Sequence, residues 1–216
     1  MIYRHLDAIF FHVGKTAGNS VERMLVPVKF HPTKCIPKLL YGWDSKESIY
    51  LQHASCVTVR RLVGAAVFDA CFKFTVVRNP FTRIMSVYSY NFRHDEKRFK
   101  TFKSYVHALP GICAKPKALA GSHHIPQIHY SHIDGRQVAD HIARFEDLPD
   151  SLDAVRRRLG IDRELPHINV IPRLPEVAAD KVAELYDPRM VAIMREVFAA
   201  DFETFGYSDR PDDAVP

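Results

Sequence analysis

In FFHVGKTAGNS, residues 10 to 20, Lys15 stands between Gly14 and Thr16, and Gly18 with an Asn19-Ser20 pair closes the run. A loop between a strand and a helix start presents unpaired backbone N–H groups and the positive end of the helix dipole to an anion. Lys15 adds a full charge, and Thr16, Asn19 and Ser20 add donors. The phosphate-binding loop of nucleoside triphosphatases reads G-x-x-x-x-G-K-[ST], but the residue five before Gly14 is Ile9, inside an apolar run. The shortened loop cannot wrap a triphosphate and suits one phosphoryl or sulfuryl group. The competing reading is a tight turn with Lys15 solvated; the two glycines and the Asn-Ser pair in one turn favour binding.

A second constellation is VVRNPFTRIMSVYSY, residues 76 to 90. Arg78 ends a β-branched and aromatic run, at the carboxyl edge where open α/β sheets bind ligands, and its guanidinium can grip a phosphate monoester with two N–H groups. Ser86 follows two helical turns later and can reach back to the same anion. Each also has an ordinary role available, Arg78 in a structural ion pair and Ser86 as a neutral helix residue. Two anion sites at two strand ends ask for a ligand carrying two separate phosphates.

The elements that must position these residues follow from periodicity. DAIFFHV (7–13) reads as a strand and SVERMLV (20–26) as a helix with Val21, Met24 and Leu25 on one stripe. Residues 27 to 50, with Pro27, Pro32, Pro37, Gly42 and the lone Trp43, read as an excursion that could line a substrate cleft. Ser55 is placed to cap a short helix ending near Gly64. CFKFTVV (71–77) is a buried strand, because its apolar residues barely alternate. Pro80 opens a helix carrying Phe81, Ile84, Met85, Tyr88 and Phe92, and Lys97 to Leu109 forms another. Residues 110 to 136 read as loop, QVADHIARF (137–145) as a third strand, and SLDAVRRRLG (151–160) as a helix capped by Asp150. A last helix starts at Asp187-Pro188, and residues 208 to 216 read as a frayed tail. Alternating strands and helices predict an α/β fold with a central, mostly parallel sheet flanked by helices.

The 216 residues fit one domain. The composition, 47% hydrophobic and 25% charged, is that of an ordinary globular protein, and the net charge of +5 mildly favours anionic partners. No stretch reaches the length of a membrane span or has the form of an export signal. Cys35, Cys56, Cys71 and Cys113 lack C-x-x-C spacing, so neither a zinc knuckle nor a disulfide framework is indicated and a reduced, cytoplasmic setting is the simplest expectation. Arg156, Arg157 and Arg158 read as a solvated helix face rather than a nucleic-acid patch, since no aromatic platform accompanies them.

HVGKTAGNS resembles the 5′-phosphosulfate loop, and FTVVRNPFTRIMSVYSY the 3′-phosphate motif, of the sulfotransferase family that includes carbohydrate 2-O- and 6-O-sulfotransferases and bacterial relatives (family 2). The likeness continues in the family's order through LQHAS, PQIHYSHIDGRQVADHIARFEDL, LPHIN and DFETFGY. The resemblance implies a P-loop-like three-layer fold that binds 3′-phosphoadenosine 5′-phosphosulfate and moves its sulfuryl group to a hydroxyl of a saccharide or glycolipid-type acceptor, leaving 3′,5′-adenosine bisphosphate. It implies that Lys15 meets the oxygen bridging phosphorus and sulfur, and that Gly14, Thr16, Ala17, Gly18, Asn19 and Ser20 line the 5′ end. Arg78 and Ser86 would hold the 3′-phosphate, His53 of LQHAS would be the general base, and Gln127 would border the acceptor. His53 as an ordinary surface histidine stays open. No metal is required.

The histidines His123, His124, His129 and His132 lack a well-spaced carboxylate or cysteine and are expected to face the acceptor with Lys115 and Lys117 rather than to hold a metal. The family's secretory-pathway members carry a membrane anchor and paired cysteines; their absence from this sequence suggests a bacterial cytoplasmic member. Two other readings remain at this point: a small-molecule kinase of P-loop type using ATP and magnesium, and a non-catalytic nucleotide-binding module.

Overall fold

The structure, a computed structural model, describes residues 1–26, 35–94, 99–166 and 182–214, with backbone alone for 92–94. The expected features at Pro27, Pro32, Lys97 and His167 to Asn169 of LPHIN lie outside the described residues, as does the side chain of Phe92.

Strand β1 (Ile2–Tyr3), which sequence patterning did not flag, runs antiparallel to β2 (Ala8–Phe11). After β2 comes α1 (Gly18–Leu25), a small hairpin of β3 (Trp43–Asp44) and β4 (Ile49–Tyr50), and then α2 (Cys56–Val63) and α3 (Ala65–Ala70). The Ser55 hydroxyl accepts the Thr58 N–H and starts α2, as its residue type predicts. β5 (Phe72–Val77) pairs in parallel with β2, and α4 (Pro80–His94), α5 (Phe102–Cys113) and α6 (Pro116–Ala120) follow. A second hairpin, β6 (His132–Ile133) with β7 (Arg136–Gln137), precedes β8 (His141–Arg144), which pairs in parallel with β5. The order in the main sheet is therefore β1, β2, β5, β8, with the three longer strands parallel.

Helices cover both faces, which is why β2 and β5 are apolar almost without alternation. Ile9 and Phe11 pack into a cluster with Val59 and Phe68 of α2 and α3. Phe10, Phe74 and Val76 point the other way, against Val21 and Met24 of α1 and Leu152 and Val155 of α7 (Leu148–Leu159). A third cluster joins Val77, α4 and α5 to α8 (Val182–Leu185), α9 (Pro188–Val197) and α10 (Ala199–Phe205). The fold is thus mixed α/β with a central, mostly parallel sheet between helices.

Several boundaries differ from the sequence reading. The helix expected from Lys97 starts instead at Phe102, because the Thr101 and Ser104 side chains form a reciprocal cap. The residue preceding α7 is Asp147 and not Asp150, which lies inside the first turn. The stretch from 110 to 136 completes α5 and holds α6 and a hairpin, so it is not all loop. The closing segment does not fray through residue 214: Pro211–Asp213 forms a 3-10 turn, Ser208 donates to Asp213, and Ala214 is buried in the third cluster.

Candidate active site

Because β2 and β5 are parallel with Phe11 opposite Thr75, the residues that leave their carboxyl ends emerge side by side. After β2 the backbone turns sharply, with Lys15 and Ala17 both at positive φ (70° and 61°). Alternation into the left-handed region aims successive N–H groups to one side and makes an anion-binding concavity. Among the described residues the amides of Gly14, Lys15, Thr16 and Ala17 donate to no acceptor. Thr16 contributes by its amide and not its hydroxyl, which is buried and donates 2.9 Å to the Val13 carbonyl. Asn19 is exposed and Ser20 buried at the start of α1.

Two glycines are fixed by close approach. A side chain at Gly18 would collide with the imidazole of His12, and one at Gly14 with that of His123. His12 is buried, stacked on Phe10, with Nδ1 2.7 Å from Glu22 of α1. The Lys15 ammonium lies 4.5 Å over the ring of Tyr90 on α4. Burial and the neighbouring Arg78 charge bring its pKa down to about 8.

Arg78 leaves β5 and is buried, its Nη1 donating 3.3 Å to the Lys15 carbonyl and its Nε 3.1 Å to the Thr82 hydroxyl. The guanidinium lies 3.9 Å over the ring of Phe145, which follows β8. Its backbone is held on both sides by Gln127, whose Oε1 accepts the Arg78 N–H at 2.9 Å and whose Nε2 donates to the Arg78 carbonyl at 2.7 Å. Gln127, expected beside the acceptor, is therefore fully buried with its amide spent on Arg78 and Asp201, and it works as a strut. Asn79 turns the chain into α4: its N–H donates to Glu146 and its side chain accepts from the Phe81 N–H. Ser86, on the second turn of α4, is half-buried.

His53 sits in a short 3-10 turn directly after β4. Its Nδ1 is 3.0 Å from the His12 carbonyl and its Nε2 is 3.0 Å from Nε2 of His123. The structure thus brings His53 to the loop that carries Lys15. Of the other three histidines, His124 bonds to Tyr105, His132 to Ser131, and partial burial lowers the pKa of His129. Among the described residues no group of three or more His, Cys, Asp or Glu is arranged to hold a metal ion.

The motif pair at two adjacent strand ends has a counterpart among known proteins: a family model described as sulfotransferase family matches residues 1–208. The chain belongs to the sulfotransferase family. Over 107 residues, 50% of this chain and 82% of the relative, it is 25% identical to an uncharacterized protein of Archaeoglobus fulgidus. No solved structure matches. Among the described residues of this sulfotransferase no helix is long and apolar enough to cross a membrane.

Sequence reasoning missed several residues of the site. Tyr90 under Lys15, Phe145 under Arg78, and Asp201 behind Gln127 each lie inside a motif already noted, in SVYSY, ARFEDL and DFETFGY, but their roles come from tertiary contact. Arg83 was also overlooked. It is completely buried, and its two terminal nitrogens donate to the carbonyls of His123 and Ile125 at 3.1 and 2.9 Å.

Proposed function

We propose that this chain, as a single domain of P-loop-like α/β architecture, transfers a sulfuryl group from 3′-phosphoadenosine 5′-phosphosulfate to a hydroxyl of a saccharide or glycolipid-type acceptor. The observation that carries this reading is the pair of cations, Lys15 and Arg78, at neighbouring ends of parallel strands with their charged tips over different rings. A donor with one phosphosulfate and one remote phosphate matches that pair. The residues present fit it: four unbonded loop amides and Lys15 at the 5′ end, Arg78 and Ser86 at the 3′-phosphate.

When bound, the donor supplies the electrophilic sulfur and a phosphate leaving group. The Lys15 ammonium neutralises charge that grows on the bridging oxygen, and the amides from Gly14 to Ala17 hold the neighbouring oxygens without reorganising. Tyr90 keeps that ammonium in place without cancelling it, as a carboxylate would. His53 takes up the acceptor's proton, its Nδ1–H fixed on the His12 carbonyl so that Nε2 is the basic nitrogen.

On the acceptor side, β3 and β4 present Trp43 and Tyr50, 43% and 46% exposed, in an edge-on pair immediately before the His53 turn. Lys117 of α6 lies 5.8 Å over the Trp43 ring. An exposed indole beside a cation suits the apolar face of a sugar ring and its polar rim, which supports a saccharide-type acceptor. The four cysteines are all free thiols, in keeping with a reducing cytoplasm.

Differential scanning fluorimetry provides the first check. 3′,5′-Adenosine bisphosphate is expected to raise the melting temperature and ATP with magnesium to leave it nearly unchanged; preference for ATP would reject the reading. Transfer of radiolabelled sulfate from the donor to a library of hydroxyl compounds then tests turnover, and no labelled product from any saccharide or glycolipid would reject the acceptor class.

Lys15 also gives the binding a pH dependence. Anion affinity requires the ammonium, which the free protein loses as pH rises through about 8. Bisphosphate affinity at fixed ionic strength is therefore expected to level off between about pH 7 and 8, where the ligand phosphates are fully ionised, and to weaken above 8, toward about tenfold per pH unit for one required proton. Calorimetric titration from pH 6 to 9.5 reads this directly, and a Lys15→Met protein should lack the break.

A further inference from the structure

The basic nitrogen of His53 does not face open space. Only an N–H approaches a carbonyl oxygen at 3.0 Å, so Nδ1 of His53 carries its proton and Nε2 the lone pair. That lone pair lies 3.0 Å from Nε2 of His123. Two bare nitrogens would repel and two N–H groups would collide, so His123 is the donor in this bond and its own lone pair is on Nδ1. Both rings are neutral near pH 7, because burial and neighbouring positive charge hold His53 well below the ordinary imidazole value and bring His123 to about 3.

His123 is the ring nearer the cationic loop. It packs on Gly14 and stands 5.5 Å from the Tyr90 ring that carries Lys15, whereas His53 has its ring contacts with His12 and His123. The His123 backbone is pinned by the buried Arg83 guanidinium on its carbonyl. Next to it, Tyr130 has its hydroxyl 2.7 Å from the Ser122 carbonyl and 3.2 Å from that of His53. A side chain at Gly121 would run into the His53 backbone, so the two histidine-bearing segments are fitted to one another.

We propose that His123 is the residue that meets the acceptor hydroxyl, and that His53 stands behind it as the final proton acceptor. This rests on the sulfuryl-transfer reading given above. The acceptor oxygen bonds to sulfur while the bond from sulfur to the bridging oxygen breaks, its electron pair leaving on the adenosine bisphosphate. The hydroxyl proton passes to Nδ1 of His123, and the proton on Nε2 of His123 passes to Nε2 of His53. His123 ends neutral and His53 ends as imidazolium. Charged and titratable groups face the pair: Lys15 and His12 from the loop after β2, Glu22 of α1 through His12, Arg83 from α4, His124 from the next position, and the amino terminus toward His53. A positive His123 would sit beside Lys15 and Arg83; one ring back, burial, His12 and the amino terminus oppose the charge, but those two cations are not among its neighbours and the His12 carbonyl favours it.

The test compares His53→Ala, His123→Ala, the volume-preserving His123→Gln and the double alanine protein. Turnover is read as release of 3′,5′-adenosine bisphosphate from the donor with the best hydroxyl compound of the library. Each single substitution is expected to lower turnover 10²- to 10⁴-fold, and the double no further, because one broken link disables the relay. Bisphosphate affinity should stay within about threefold. Independently of turnover, ¹⁵N-histidine NMR of the unliganded protein should find His53 protonated on Nδ1 and His123 on Nε2. In His123→Ala the His53 titration should move, since the N–H that meets its lone pair is gone, whereas the glutamine amide of His123→Gln can still donate there but cannot pass a proton on. His123→Gln and His123→Ala retaining more than a tenth of turnover would overturn the relay alone, as would a His123 protonated on Nδ1 instead. A wild-type protein that binds the bisphosphate yet transfers sulfate to nothing would overturn the relay and the assigned reaction together.

Discussion

Lys15→Met is expected to lower turnover about 10²- to 10³-fold, the loss found when one preorganised group facing transition-state charge is removed, while the melting temperature stays level or rises. The ammonium is taken out of water, repelled by Arg78, and paired with no carboxylate among the described residues; its compensation is the Tyr90 ring. A methionine of similar length keeps the apolar contact and drops the desolvated charge. Stability held below its optimum at a functional position is a common trade. Parallel measurement of kcat and thermal midpoint separates the alternatives: a clear fall in midpoint with turnover intact would make Lys15 a structural residue.

The second large effect is on the frame. Asp201 is completely buried and accepts the Gln127 and Ile128 N–H groups at 2.8 and 2.9 Å, with the Gln127 side-chain amide at 3.3 Å. Burial pushes its pKa up, and the Arg83 charge together with these donors opposes that rise. In Asp201→Ala the two amides lose their acceptor inside the protein and Arg83 loses its counter-charge. Removing one side of such a buried network costs about 3–5 kcal/mol, roughly a 10 °C fall in midpoint for a domain of this size. Bisphosphate affinity should fall as well, because Gln127 no longer holds the Arg78 backbone. Asp201→Asn, which keeps one acceptor oxygen, should lie between. Equilibrium denaturation and bisphosphate titration check both parts; an Asp201→Ala protein of wild-type stability would remove the carboxylate from this role.

How far the site could be read from sequence depended on whether chemistry or packing assigns the residue. Lys15, Arg78 and His53 stand out because a cation after a glycine turn, an arginine ending an apolar strand and a histidine in a short motif are local patterns. The parallel strands that align the first two were legible from their unbroken apolar runs. Gln127 was misread because its type suits hydrogen bonding to a sugar as well as to a backbone, and only burial distinguishes these. β1 is two residues long and has no period to detect. Arg83 was passed over because nothing local announces that Phe198 and two carbonyls surround it.

Helix α4 begins at the turn that places Arg78, carries Ser86 on its second turn, grips the His123 and Ile125 carbonyls through Arg83, and supports Lys15 through Tyr90. A single helix therefore sets the spacing between the end at which we propose the nucleotide binds and the end at which we propose the proton is handled. Substitutions that shift its axis are expected to disturb both ends at once and, because Tyr90 lies within electrostatic reach of Tyr50, to be felt in the β3–β4 hairpin as well.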